Sequence, residues 1–258
     1  MKKILVIVLA LVLVLSFAAC EKKQKNPTAT PTVEATTEPT ATPTATPDAP
    51  DVKGEGVMTH AQYVAAADED EVVIECYVQD HQSWWEDKIS VYAADTEGGY
   101  FLYNLACSEA DAAKLVPGTK IRVTGDKAEY DGEVEIMDAT FEFVEGSDTY
   151  VAEPTDLTAK LGTDELINYM NQYVSFKGLT FKSLTYKNGE PGDDIYLTFT
   201  YGEKDHNFCV EVYLTGTETE VYKTAGELVE GDVVDIEGFL YWYQGANPHI
   251  TKITKVAK

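Results

Sequence analysis

Leu115-Val116-Pro117-Gly118-Thr119-Lys120-Ile121-Arg122-Val123-Thr124-Gly125 returns later in the chain as Leu228-Val229-Glu230-Gly231-Asp232-Val233-Val234-Asp235-Ile236-Glu237-Gly238. In each copy an apolar pair closes a short helix, a glycine turns the chain, and alternate residues (Ile121 and Val123; Val234 and Ile236) point to one face. A second glycine lets the strand bend. One folding unit is therefore expected twice, each time built on a small, strongly curved sheet.

The residues around the first copy read as β-β-β-α-β-β. A short amphipathic helix over Thr59–Ala67, with Thr59 as N-cap, leads in. The β-rich runs Val72–Val78, Lys88–Ala93 and Tyr100–Asn104 follow, separated by polar or glycine-containing turns. Ser108-Glu109-Ala110-Asp111 caps the helix that ends at Leu115. Strands Lys120–Glu129 and Glu133–Phe143 then meet at Tyr130-Asp131-Gly132.

The second half repeats this order. A leading helix is expected over Thr163–Asn171 with Thr163 as N-cap, followed by strands Tyr173–Leu179, Ile195–Tyr201 and Phe208–Leu214. A capping box at Thr217-Glu218-Thr219-Glu220 opens a helix to Leu228, and strands Val233–Tyr243 and His249–Val256 close the copy. Val72 matches Val174 and Leu115 matches Leu228, so the second copy is longer between these points. The extra residues are assigned to the hairpin Tyr186–Asp194, whose Asn188-Gly189 and Pro191-Gly192 pairs are turn signals. Glu145–Asp156 marks the boundary between copies.

Five strands with a helix between the third and fourth is the order of an OB-fold, a Greek-key barrel that binds on strands 2 and 3 and in the loops around them. The fold class expected is all-β with short helices: two tandem five-stranded OB-fold barrels after a disordered linker. The segment Gly125-Asp126-Lys127-Ala128-Glu129-Tyr130-Asp131-Gly132-Glu133-Val134-Glu135-Ile136 resembles the strand-turn-strand signature of bacterial OB-fold modules found in exported lipoproteins and beside secreted nucleases. In the second copy Phe239-Leu240-Tyr241-Trp242-Tyr243-Gln244-Gly245-Ala246-Asn247-Pro248-His249-Ile250 puts aromatics where the first has an acidic hairpin. The resemblance implies binding modules without naming a ligand, since a fold does not fix a function.

The N-terminus carries an address. Lys2 and Lys3 precede an apolar run from Ile4 to Leu15, and Ser16-Phe17-Ala18-Ala19-Cys20 supplies small residues for cleavage. This resembles the lipobox of bacterial lipoproteins, with Phe17 where leucine is more usual. The resemblance makes Cys20 the mature N-terminus and the acylated residue. The other readings are an ordinary secretory signal with an incidental cysteine and an uncleaved membrane helix, for which the run is short. Acyl chains contribute about 0.8 kcal/mol per buried CH₂, so two or three, palmitate among them, anchor a protein durably.

Glu21–Pro50 repeats Thr-Ala-Thr-Pro-like units with almost no large apolar side chains and is read as a disordered stalk. Thirty such residues in polyproline geometry reach on the order of 90 Å. The organisation expected is thus signal peptide 1–19, lipidated Cys20 and linker 20–52, and barrels over 53–146 and 147–258. Localisation follows as the cell membrane, lipid-anchored on its extracytoplasmic face.

Charge narrows the partners. Against 20 Lys and Arg the chain carries 44 Asp and Glu, a net charge of −24, and Arg122 is its only arginine. Such a surface repels phosphodiester backbones, so nucleic acid is disfavoured. The same acidity also serves as a solvated surface that keeps a monomer soluble.

The remaining chemistry is aromatic. Trp84 and Trp85 stand in the turn between the first two strands, and Tyr92, Tyr100 and Tyr103 lie on the two strands of the usual binding face. These rings form either a stacking platform for sugars or bases, or a plug and edge cover for the barrel. Tyr241-Trp242-Tyr243 alternates faces, so a ring points out to a ligand or packs against the first copy. No catalysis is indicated: His60, His81, His206 and His249 have no nucleophile partner in a recognisable motif. Asp68-Glu69-Asp70-Glu71 and Asp193-Asp194 match no calcium loop, so no metal or cofactor is expected. Cys76, Cys107 and Cys209 are odd in number and argue against a disulfide framework. The expected function is binding of a glycan or a protein partner through aromatic surfaces; the alternative is single-stranded nucleic acid.

Overall fold

A computed structural model describes residues 53–256; the signal, Cys20 and the stalk lie outside the described residues. The first copy begins with helix α1 (His60–Ala65). Its Thr59 side chain accepts from the Gln62 N–H and the Gln62 side chain accepts from the Thr59 N–H, a reciprocal cap that starts so short a helix. Strands β1 (Glu71–His81), β2 (Lys88–Ala94) and β3 (Gly99–Ala106) follow, then helix α2 (Glu109–Ala112), then β4 (Lys120–Tyr130) and β5 (Glu133–Phe143). The strands close into a barrel in the order β1-β2-β3-β5-β4. Its one parallel contact, β3 on β5, pairs Leu102 with Ile136.

The second copy repeats that ring. A two-residue strand, β6 (Thr155–Asp156), lies parallel to the start of β7 (Tyr173–Tyr186), on the stretch that β8 (Ile195–Tyr201) does not reach. Strand β9 (Lys204–Val210), helices α3 (Val212–Thr215) and α4 (Glu220–Gly226), and strands β10 (Val233–Phe239) and β11 (His249–Lys255) complete it. The order is β7-β8-β9-β11-β10 with β10 returning to β7, and β9 meets β11 in parallel at Cys209 and His249. Ile136 and His249 hold equivalent places, displaced as Leu115 is from Leu228. The expected OB-fold class is therefore observed.

The repeated glycines do the same work in both halves. Gly118 and Gly231 turn with φ of +89° and +87°, the left-handed region that favours glycine. Gly125 and Gly238 sit where the β4–β5 and β10–β11 registers shift. A Cβ on Gly125 would stand 2.7 Å from the Met137 carbonyl oxygen, and one on Gly238 would stand 2.2 Å from that of His249. Only a bare backbone lets the strands bend so closely.

Several local expectations are corrected. Over Thr163–Asn171 the chain forms a 3₁₀ helix, Asp164–Tyr169, and Thr163 makes no side-chain cap bond. The third strand of the second copy ends at Val210, and Val212–Thr215 turns helical where strand was expected to reach Leu214. Alternating Val210, Val212 and Leu214 mimic a strand, but the Val212 N–H is drawn to Asp194 Oδ1 at 2.9 Å and the Thr215 N–H to the Glu211 carbonyl. The cap of α4 is Thr219 rather than Thr217. Strand β10 stops at Phe239, which frees Tyr241–Tyr243 as loop. The extra length of the second copy is shared between a longer β7 hairpin and the added turn α3.

Each barrel has its own core. Val72, Ile74, Cys76, Val91, Leu102, Leu115, Ile121, Val123 and Ile136 fill the first. Val174, Phe176, Leu197, Phe199, Phe208, Val234, Ile236 and Ile250 fill the second. Cys76, Cys107 and Cys209 are buried free thiols, and Arg122 donates to the Glu55 carbonyl at 3.0 Å. Between barrels the chain is pinned by Gln79, which donates to the Tyr150 carbonyl at 3.2 Å and accepts from the Ala152 N–H at 2.7 Å.

Candidate functional site

The two barrels meet through aromatic rings. Tyr92 of β2, Phe101 of β3 and Phe239 of β10 form a buried cluster separate from either core. Tyr92 and Phe239 stack with centroids 4.3 Å apart and planes 5° from parallel, and Tyr92 packs on Phe101 at 4.8 Å. Tyr92 Oη lies 2.8 Å from Nδ1 of His249, and the same nitrogen is 3.3 Å from Glu211 Oε2. Gln82 of the loop after β1 donates Nε2 to both Glu211 oxygens at 2.9 Å. Burial alone would raise the Glu211 carboxyl, but the hydrogen bond and charge of His249, with Gln82, hold it below the ordinary range.

Two grooves flank this junction. The larger, about 1170 Å³, lies on β8 and β9 of the second barrel. The Tyr241–Asn247 loop walls it on one side and the 3₁₀ segment with Asp164 and Ile167 on the other. Its carboxylates are Asp164, Asp194, Asp205 and Glu211, its histidines His206 and His249, and among the described residues no lysine or arginine lines it. Lys187 and Lys182 pair with Asp194 and Asp205 without lining the groove. His206 Nε2 is buried there and has no hydrogen-bond partner among the described residues. Burial and the charge of Lys204 lower its pKa, with Asp205 acting in the opposite direction.

The smaller groove, about 390 Å³, runs between β2–β3 of the first barrel and Glu211, Tyr213 and Tyr241 of the second. Trp85, Tyr103 and Tyr213 ring it, 68 %, 38 % and 58 % exposed, and Lys88 is its one lysine or arginine among the described residues. Both grooves share Glu211, Tyr241 and His249. Tyr241 stacks on His249 at 4.3 Å, so one pair of rings divides the two surfaces.

The aromatics singled out in the sequence divide by whether they line a groove. Trp85, Tyr103, Tyr241, Trp242 and Tyr243 line the grooves. Trp84 is half-buried against the first core and donates Nε1 to the Cys107 carbonyl at 2.8 Å, the plug arrangement. Tyr92 and Tyr100 present no ring to solvent, which corrects their placing on a ligand surface. Tyr92 is covered by the second barrel, and Tyr100 donates to Asp95 Oδ2 at 2.7 Å inside the first. Cys20 lies outside the described residues. The sequence reading missed Glu211, Gln82, Tyr213, Tyr196 and Asn207. Tyr196 of β8 and Asn207 of β9 carried a usable signal, since strands 2 and 3 of an OB-fold face the ligand groove.

The loop carrying Tyr241–Gln244 is held by the first barrel. Glu133 Oε2 accepts the Trp242 N–H at 2.7 Å, and the Asp131 carbonyl accepts the Gln244 N–H at 2.7 Å. A Cβ on Gly132 would stand 2.8 Å from Trp242 Cδ1. The β4–β5 hairpin tip thus serves as a seat for the aromatic wall of the other barrel's groove.

No family model matches this chain, and no curated protein matches it. Solved structures similar to it include a murine DNA binding protein bound with ds DNA, at 14% identity and TM-score 0.38, covering 72% of this chain and 97% of that one. The p204 HINb domain is similar at 12% identity and TM-score 0.34, covering 74% of this chain and 100% of that one. Asparaginyl-tRNA synthetase from Pyrococcus horikoshii, complexed with asparaginyl-adenylate, is similar at 19% identity and TM-score 0.27 over 33% of this chain; the match spans 19% of the synthetase. At such scores the likeness carries no functional weight. Strand order and ring closure define the class: a protein of tandem OB-fold barrels.

Proposed function

We propose that the chain is a non-catalytic binding protein that holds a neutral glycan across the aromatic faces of its two grooves. One observation carries this reading: the larger groove combines Tyr241, Trp242 and Tyr243 with four carboxylates and, among the described residues, has no lysine or arginine in its lining. Flat rings cover the apolar C–H faces of sugars, and carboxylates, amides and imidazoles accept or donate to their hydroxyls. A phosphodiester meets a net charge of −24, and Lys182 and Lys187 beside the larger groove are already paired with its carboxylates Asp205 and Asp194. Single-stranded nucleic acid is the second reading, favoured by the rings of Trp85, Tyr103 and Tyr213 beside Lys88.

Presenting the full chain to arrays of neutral glycans, acidic glycans and oligonucleotides at physiological salt tests the proposal. Retention of neutral glycans that weakens with Tyr243→Ala and Trp85→Ala supports it. Retention of oligonucleotides alone, lost steeply as salt rises, replaces it with the second reading.

Anchoring at the extracytoplasmic face through Cys20 belongs to the same proposal and is supported by the sequence alone. Metabolic labelling with an alkyne fatty acid should mark the wild-type chain and leave Cys20→Ser unmarked. Equal labelling of the two removes the anchor.

A further inference from the structure

Among the described residues, those that line the larger groove all belong to the second barrel, yet its wall at the junction is held from outside. Glu133 and Asp131 take the Trp242 and Gln244 N–H groups, Tyr92 meets His249, and Gln82 meets Glu211. The hold on Glu211 is the most specific of these. The Glu211 carbonyl accepts the Leu214 and Thr215 N–H groups at the start of α3, and its side chain takes no part in the cap. Only the direction of the carboxylate is left open, and Gln82 closes it: Nε2 lies 2.9 Å from each oxygen, while Oε2 stands 3.3 Å from His249 Nδ1. The backbone around Gln82 is fixed independently of this amide. The Gln82 N–H donates to the Ser90 carbonyl at 2.8 Å, and the Ser83 N–H and Oγ both donate to the Tyr213 carbonyl, at 2.6 and 3.2 Å.

We propose that Gln82 is a positioning residue of the ligand site: by holding the Glu211 carboxylate against His249 it keeps the ring partition between the two grooves in place, so that a site lined by one barrel is completed by the other. An ionised carboxylate only accepts hydrogen bonds. Deprived of the Gln82 amide, Glu211 turns to the nearest water, which lies in the grooves it lines, and carries its charge there. His249 then loses a neighbour, and Tyr241, stacked on His249 at 4.3 Å, loses the ring that supports it. Gln82, Glu211, His249 and Tyr241 thus form a chain from a loop of the first barrel to the aromatic ring that both grooves share. The same loop serves the smaller groove directly through Trp85. The positioning stands on these contacts; its consequence for glycan binding rests on the proposed function of the grooves.

The first arm of the test needs no ligand, so it fails or succeeds apart from the glycan proposal. The ring-nitrogen NMR signals of the four histidines are recorded in the full chain at one neutral pH, with His249 assigned by its loss in His249→Gln. Gln82→Met, which keeps the length of the side chain and removes the amide, should move the His249 signals and leave those of His60, beside the Gly99 carbonyl, in place. On top of Glu211→Ala the same substitution should move nothing further, because the carboxylate through which Gln82 acts is gone. Unmoved His249 signals in Gln82→Met overturn the proposal, as does an equal shift with and without Glu211. If Gln82→Met fails to fold, Gln82→Asn, which withdraws the amide by one methylene, decides by the same criteria. The second arm reads affinity for the neutral glycan that the array selects. Gln82→Met should weaken it about tenfold in the wild-type chain and less than about twofold beside Glu211→Ala. Additive losses overturn the proposal. An array that retains no glycan removes the reading of the grooves, and the histidine signals still decide the positioning.

Discussion

Replacing Phe239 by alanine should uncouple the two barrels without unfolding either. Its ring belongs to neither core: it stacks on Tyr92 at 4.3 Å across the junction and meets Tyr173 at 5.2 Å within its own barrel. Truncating a buried phenylalanine costs about 3–5 kcal/mol, of which ~0.5–1.5 reflects ring–ring geometry. Since the cluster of Tyr92, Phe101 and Phe239 is shared between barrels, most of that loss falls on their docking. Urea unfolding can separate the halves, because Trp84 and Trp85 report on the first barrel and Trp242 on the second. Single-reporter variants of the wild type should give coincident transitions. With Phe239→Ala the Trp242 transition should move to lower urea and part from that of Trp84. Phe199→Ala, deep in the second core, should lower the second barrel by a similar amount and serve as the comparison. A loss below about 1 kcal/mol with transitions still coincident would refute the reasoning, since it would mean that the stack contributes little to docking.

Three further outcomes follow from the same contacts. Gly99→Ala puts a methyl 2.4 Å from the carbonyl group of Asn171; backbone on both sides cannot yield, so native-state proteolysis between the barrels should accelerate, and an unchanged cleavage rate contradicts the close approach. Trp85→Ala, at a ring 68 % exposed, should leave stability within ~0.5 kcal/mol while weakening glycan binding by about tenfold, roughly 1.4 kcal/mol, as read by calorimetry. Stability should also fall as pH rises: burial lifts Glu133 to about 8 and Glu135 to about 7, so between an unfolded value near 4.5 and these values the folded chain binds more protons than the unfolded one, and the slope of unfolding free energy against pH is negative. Thermal melts from pH 5 to 9 should show it, and Glu133→Gln should flatten it; a rise in melting temperature over that window contradicts the assignment.

Much of the fold was legible because it rests on local chemistry repeated twice. Gly118 and Gly231 fix the same left-handed turn, Gly125 and Gly238 the same close strand contact, and Thr59 with Gln62 closes its capping box. The legible strands have alternation set by one barrel's interior, as in Ile121 and Val123. The misread segments are those whose conformation is decided by partners far along the chain. Val212–Leu214 alternates like a strand, yet the Asp194 carboxylate takes its first N–H. Tyr92 sits on the face where an OB-fold ligand would lie, and the docking of the second barrel, with Phe239 and His249 against it, covers it. Glu133 looked like one more acid in a hairpin, because nothing local announces that a loop from the other barrel closes over it.

The central claim is that the rings lining the two grooves, and not those turned away from them, meet the ligand. Three indole N–H signals report on it in one proton–nitrogen correlation spectrum of the full chain, titrated with the neutral glycan that the array selects. The signals of Trp85 and Trp242 should shift with a common midpoint while that of Trp84, donated to the Cys107 carbonyl, stays in place. Movement of Trp84 alone, or no movement of Trp85 and Trp242 at a saturating concentration, would contradict it.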